Sequence, residues 1–296
     1  MTSVPPSYQH PGSPPLRPEL PEGVAPPPEP GLPRLGVPVW TPFAVVLASF
    51  IAVLFVQILV VAIADLGGGN VDQISESDGA TIGFTVVLDV TLVAFSVVAV
   101  TWLGSGRPTP AAFGLRVPAW ASALGWTLAA YASFWVAAIA VGIAFGEPED
   151  QDIVVDLKAE DSVLVLTGFG IMTCLLAPLA EEFFFRGFLL RVLHEKLGVL
   201  LGVLITGVAF GLVHLPSGDW RGTIVLSLFG IALCVLFLLT SSLLPCIMLH
   251  AFHNSISFGF TKELPWWGFL LLIVASVTTT YAIARLASRA PQPAPA

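Results

Sequence analysis

From Trp40 onward the chain alternates long apolar runs with short polar intervals. A hydrocarbon core about 30 Å thick is crossed by about 20 helical residues at 1.5 Å each. Eight stretches approach that length: 42–63, 81–103, 119–145, 162–193, 197–214, 223–239, 243–260 and 266–286. The fourth is long enough to tilt or to end in an interfacial turn. The pattern predicts an all-α, polytopic integral membrane protein of about eight transmembrane helices. Residues 1–39 are rich in Pro and Gly and cannot bury enough apolar surface to fold. They are expected to form a disordered cytosolic tail before a membrane domain at 40–288, with a second short disordered tail at 289–296. The N-terminal stretch lacks an apolar h-region, so no cleaved leader is expected.

Composition reinforces that reading. Hydrophobic residues make up 55% of the chain and charged residues 11%, and the mean hydropathy is +0.87, which excludes an ordinary soluble domain. The net charge of −8 comes from acids concentrated in a few loops; no basic face suggests nucleic acid as a partner. Cys174, Cys234 and Cys246 all fall in apolar stretches and read as small packing residues, not as a disulfide framework. Basic residues orient the bundle. With both termini in the cytosol, Arg17, Arg34, Arg107, Arg116, Arg186, Arg191, Lys196, Arg285 and Arg289 lie inside, and only Lys158, Arg221 and Lys262 outside. Asp72, Glu76, Asp78 and the acidic run 147–161 then face outward, as solvated loops. Trp40, Trp266 and Trp267 stand where interfacial anchors do. No internal repeat suggests an inverted-repeat transporter.

Ionisable groups at bilayer depth cost at least ~2.5 kcal/mol each, so each one asks for a reason. Four polar sets interrupt the apolar runs. In Glu181-Glu182-x-x-x-Arg186, Glu182 and Arg186 lie about 40° apart and one turn apart on a helix, close enough to pair, while Glu181 is about 140° from Arg186. Arg186 should neutralise and orient Glu182, leaving Glu181 to face a cavity as a general base. A buried ion network that only locks helices is the competing explanation. In Phe210-x-x-x-His214, the ring can shield the imidazole and fix its rotamer. In His250-x-x-x-Asn254, two donors share a helical stripe and suit an oxyanion, with His253 about 60° round from His250 as a supporting residue. The same imidazoles allow another reading, in which Glu181, His214 and His250 (or His253) hold a divalent metal such as zinc. Asp89, with Gln57 on the first segment, keeps a proton or ion path open. Cys246, one turn before His250, offers a thiol nucleophile, although its apolar neighbours favour inert packing.

The three motifs, in that order on membrane helices, resemble the CPBP intramembrane proteases. These include the type II CAAX prenyl endopeptidases and the bacteriocin-immunity (Abi) proteins. The resemblance covers roughly 167–260. It implies peptide-bond hydrolysis within the membrane, with Glu181 and His214 activating water and His250 and Asn254 stabilising the tetrahedral oxyanion; Glu182, Arg186 and Phe210 belong to the motifs in supporting roles. Family members are often described as metalloproteases, and a metal-free glutamate mechanism has also been proposed for them. The implied partners are a peptide or protein substrate in the bilayer, with a CAAX-type tail among the candidates, and the lipid itself.

Two rivals remain: a non-catalytic immunity or scaffold protein of the same fold, and a proton-coupled transporter centred on Asp89. Depth is the physical difficulty for catalysis. With Lys196 and the turn near Ser242 both at the cytosolic surface, Glu181 stands ~22 Å up its helix, His214 ~27 Å up the next and His250 only ~12 Å up its own. Tilted or broken helices must bring them level.

Overall fold

The computed structural model describes residues 32–68, 77–105 and 108–289. The expected tails at 1–31 and 290–296, and Arg17, Asp72, Glu76 and Arg107, lie outside these residues. The described chain is helical and has no strand. In order, the helices are α1 (Thr41–Leu66), α2 (Asp78–Leu103), α3 (Trp120–Phe145), the short α4 (Asp152–Ala159), α5 (Val163–Ile171), α6 (Ala177–Glu182), α7 (Leu190–Leu212), α8 (Trp220–Thr240), α9 (Leu243–Thr261) and α10 (Trp266–Ala287). Wide π-turns at Met172–Leu176 and Phe183–Leu189 join α5, α6 and α7 into one run.

Among the described residues, six helical runs are long and apolar enough to cross a membrane, against the eight expected. The difference has two local causes. The fourth and fifth expected spans form one run, Val163–Ser217, which α7 breaks at Gly198. There φ is 83° and ψ 176°, an angle pair that glycine adopts without a Cβ clash. The chain doubles back at that point, since the rings of Phe185 and Phe210 come within 5.1 Å of each other. The seventh expected span, α9, is made less apolar by His250, His253 and Asn254. Leu47, Ile51, Phe55, Leu124, Leu128, Ile139 and Leu271 are among the many large apolar side chains left on the outer surface. A bundle apolar outside as well as inside is built for a lipid surround.

Cross-links between distant residues fix the two ends of the bundle. At one end, the backbone N–H groups of Leu35 and Gly36 donate to Glu195 at 2.7 and 3.2 Å. Arg191 there donates to the carbonyls of Pro33 and Ala112, and Trp120 meets Tyr281 edge-on at 5.7 Å. At the other end, Lys262 donates to the Glu160 carbonyl at 2.7 Å, Arg221 lies 3.5 Å from Glu149, and Lys158 pairs with Asp150. Residues 32–39 thus depart from the expected disordered tail: Leu35 and Val37 are fully buried. Their backbone is held by a glutamate 160 positions away, which local composition does not reveal.

The start of α9 is buried, although Ser241 just before it is partly exposed. Ser242, Leu243 and Leu244 are all 0% exposed. The segment around the 3₁₀ turn Pro110–Phe113 covers them: Arg116 Nε donates to the Ser241 carbonyl at 2.6 Å, and the Leu243 N–H donates to the Gly114 carbonyl at 2.9 Å. With α9 starting inside the bundle, His250 reaches the depth of Glu181, which removes the mismatch that straight spans imply.

Close backbone packing sets α7 against α8. A Cβ on Gly211 would fall 2.1 Å from Ser227 Oγ and 2.3 Å from the Thr223 carbonyl, and one on Gly207 would fall 2.3 Å from Ile231 Cγ1. Small residues allow membrane helices to approach this closely. Gly211→Ala is expected to destabilise the bundle by about 1–3 kcal/mol through overpacking, read by equilibrium unfolding in SDS. Gly125→Ala, where nothing lies within 4 Å, should leave the unfolding midpoint unchanged.

Candidate active site

Glu181 and Glu182 close α6, between the two π-turns. A π-turn inserts one extra residue into the helical ladder and re-aims its groups. In the first of them, the Thr173 carbonyl turns outward and accepts a hydrogen bond from Asn254 Nδ2 at 2.8 Å.

A continuous polar chain runs through the bundle. Arg186 is fully buried; one amino group donates to Glu182 Oε1 at 2.7 Å and the other to the Gly230 carbonyl at 3.1 Å. Glu182, also fully buried, receives His250 Nδ1 on the same oxygen at 2.8 Å. A carboxylate accepts and does not donate, so the proton of this bond sits on His250 Nδ1. The other ring nitrogen, Nε2, lies 4.0 Å from Glu181 Oε2. The gap exceeds a direct hydrogen bond, yet a single water can bridge it. Glu181 Oε2 has no hydrogen-bond partner among the described residues.

The buried pair is held on several sides, which such pairs need to offset the loss of water. The guanidinium carbon of Arg186 stands 4.6 Å over the Phe210 ring and 5.8 Å over that of Phe185. Phe210 is the hub of the site, with its ring 5.2 Å from His214 and 5.7 Å from His250. His214 Nδ1 meets the Phe210 carbonyl at 2.7 Å; a carbonyl only accepts, so Nδ1 donates and Nε2 is left out of that bond. His253 sits in an aromatic surround, 4.5 Å from Phe229 and 5.4 Å from Phe134, and its Nδ1 is hydrogen-bonded with the Tyr131 hydroxyl at 3.3 Å. The three cysteines are free and buried. The Cys246 thiol lies against the carbonyls of Leu233 and Ser242.

Glu181, His214, His250, His253 and Asn254 line one cavity of about 940 Å³. Its lining extends to Thr81, residues 148–154, Asp156, Leu157, Ser217 and Thr261, near the Lys262–Glu160 end of the bundle. The same cavity reaches Asp89 on α2, a carboxylate close enough to Glu181 for the two to interact electrostatically. Sequence alone left Asp89 apart from the other groups, and its isolated charge in an apolar run was the only signal.

The geometry bears on two of the expected roles. His250 and Asn254 share a stripe of α9, but each spends one donor elsewhere, on Glu182 and on Thr173. The groups left to the cavity are His250 Nε2 and the second amide hydrogen of Asn254. For a metal at Glu181, His214 and His250, no three His, Cys, Asp or Glu side chains converge as ligands among the described residues. Glu181 and His250 approach one point, and His214 is held to Phe210 through Nδ1.

Residues 163–256 match the family model described as type II CAAX prenyl endopeptidase Rce1-like. The match contains Glu181, Glu182, Arg186, Phe210, His214, His250 and Asn254, and bears out the likeness to the CPBP proteases seen in the three motifs. No curated protein and no solved structure matches the chain.

Proposed function

We propose that this chain, whose segment 163–256 falls with the Rce1-like CAAX endopeptidases, hydrolyses a peptide bond of a membrane-associated peptide or protein with its own Glu, His and Asn side chains. The observation that carries the reading is His250, hydrogen-bonded through Nδ1 to Glu182 at 2.8 Å and 4.0 Å from Glu181 through Nε2, inside a cavity open at one end.

In this mechanism a water between Glu181 and His250 loses a proton to Glu181, with His214 lining the same cavity as a supporting imidazole. Its oxygen attacks the scissile carbonyl carbon. The carbonyl π bond breaks and the oxygen becomes an oxyanion, which accepts from the second amide hydrogen of Asn254. His250, held through Nδ1 by Glu182, lines the cavity beside it. The C–N bond then breaks, and the amine leaves with the proton that Glu181 held. The products are a new carboxylate and a new amine, with one water consumed.

A substrate confined to the membrane and carrying a CAAX-type tail fits the family. The Arg-rich end of the bundle is proposed as cytosolic, by the positive-inside rule. Protein in liposomes with acyl-anchored peptides tests the activity. His214→Ala and Asn254→Ala should each lower kcat/KM by roughly 100-fold. Wild-type rates in both would overturn the proposal, and so would cleavage that depends on Asp89 but tolerates Glu181→Gln.

A further inference from the structure

The cavity has one sign of charge. Its lining includes six carboxylates, Asp89, Glu149, Asp150, Asp152, Asp156 and Glu181, and no Lys or Arg among the described residues. At the mouth, Glu149 and Asp150 are balanced by Arg221 and Lys158, which stand outside the lining, while Asp152 and Asp156 have no ion pair among the described residues.

Deeper in, Asp89 is 5% exposed and its Oδ2 has no hydrogen-bond partner among the described residues. Val46, Leu88 and Leu92 line the cavity with it. A buried carboxylate facing a second carboxylate, without a donor from the protein, is costly unless a cation or a proton joins it. A low-dielectric funnel lined by one sign also raises the local concentration of the opposite charge. The side chains that satisfy both features are Lys and Arg. Their methylene stems lie against apolar walls while the head reaches a carboxylate.

Resting on the hydrolase reading, we infer that the cavity selects substrates with a Lys or Arg beside the scissile bond, and that Asp89 receives that cationic head while the acidic mouth draws the segment in. Asp89 lies outside the matched segment 163–256, so the preference belongs to this chain's own α2 and not to the family motifs.

The test is a randomised peptide library on a common acyl anchor, cleaved by the full-length protein in neutral-lipid liposomes and read by mass spectrometry. Lys or Arg should be enriched at least tenfold within two residues of the cut, relative to norleucine, and added salt should weaken that enrichment. Asp89→Asn should lower kcat/KM for the basic sequences on the order of 30-fold, bringing the basic-to-norleucine ratio near one, and Asp89→Glu should restore part of it. Binding of a Lys peptide and its norleucine counterpart to Glu181→Gln protein reads the same preference without turnover, and covers the case in which Asp89→Asn fails to fold. Cleavage with no basic preference, or a preference that survives in Asp89→Asn, overturns the inference while the hydrolase stands. No cleavage of the library by the wild type, with equal binding of the two peptides, sinks both.

Discussion

Glu181→Gln lowers kcat/KM for peptide cleavage by roughly 1,000-fold and leaves the fold intact. The size follows from removing the general base, since an amide takes no proton from water at neutral pH. The preserved fold follows from the surroundings. Glu181 Oε2 has no hydrogen-bond partner to lose among the described residues, and the change removes one of two carboxylates, with Asp89, that line the inner cavity. Unfolding in SDS should therefore give a midpoint equal to or above that of the wild type, alongside the lost activity. A Glu181→Gln protein that cleaves normally would show that the base lies elsewhere.

Arg186→Met gives the opposite pattern, a loss of stability of about 3–5 kcal/mol. The variant leaves Glu182 fully buried with its cation gone, the circumstance in which breaking a buried pair costs most. It also removes the donor to the Gly230 carbonyl, where α8 packs on the second π-turn. Glu182→Leu combined with Arg186→Met should recover much of the stability, because apolar groups of similar volume can replace a buried pair. Activity should not return, since His250 Nδ1 loses the carboxylate that orients it. Equilibrium unfolding and the peptide assay on the single and double variants separate the two effects. Equal stability of Arg186→Met and wild type would mean that the pair is not buried as described.

Local spacing made part of this legible in advance. The apolar runs marked the helices to within a few residues, as with 81–103 against Asp78–Leu103. Four-residue spacing put Glu182 beside Arg186 and Phe210 beside His214, because neighbours along a helix are fixed by its pitch. Contacts made across the bundle carry no such signal. Glu182 meets His250 over 68 positions, and Glu195 holds Leu35 over 160. Nothing in the residues around Ser242 says that the turn ends inside the protein, because its cover comes from residues 114 and 116. Asp89 looked isolated for the same reason: its neighbour Glu181 belongs to another helix.

The central claim is that water, positioned by Glu181 and the imidazoles, attacks the peptide bond directly. It is tested by a rapidly quenched single turnover in ¹⁸O-water, with intact-mass spectrometry of protein and products. The predicted result is one ¹⁸O in the new carboxylate, an enzyme of unchanged mass at every quench time, and no product with Glu181→Gln. An enzyme carrying the acyl half of the substrate, for instance on Cys246, would contradict it, and so would a peptide that stays whole.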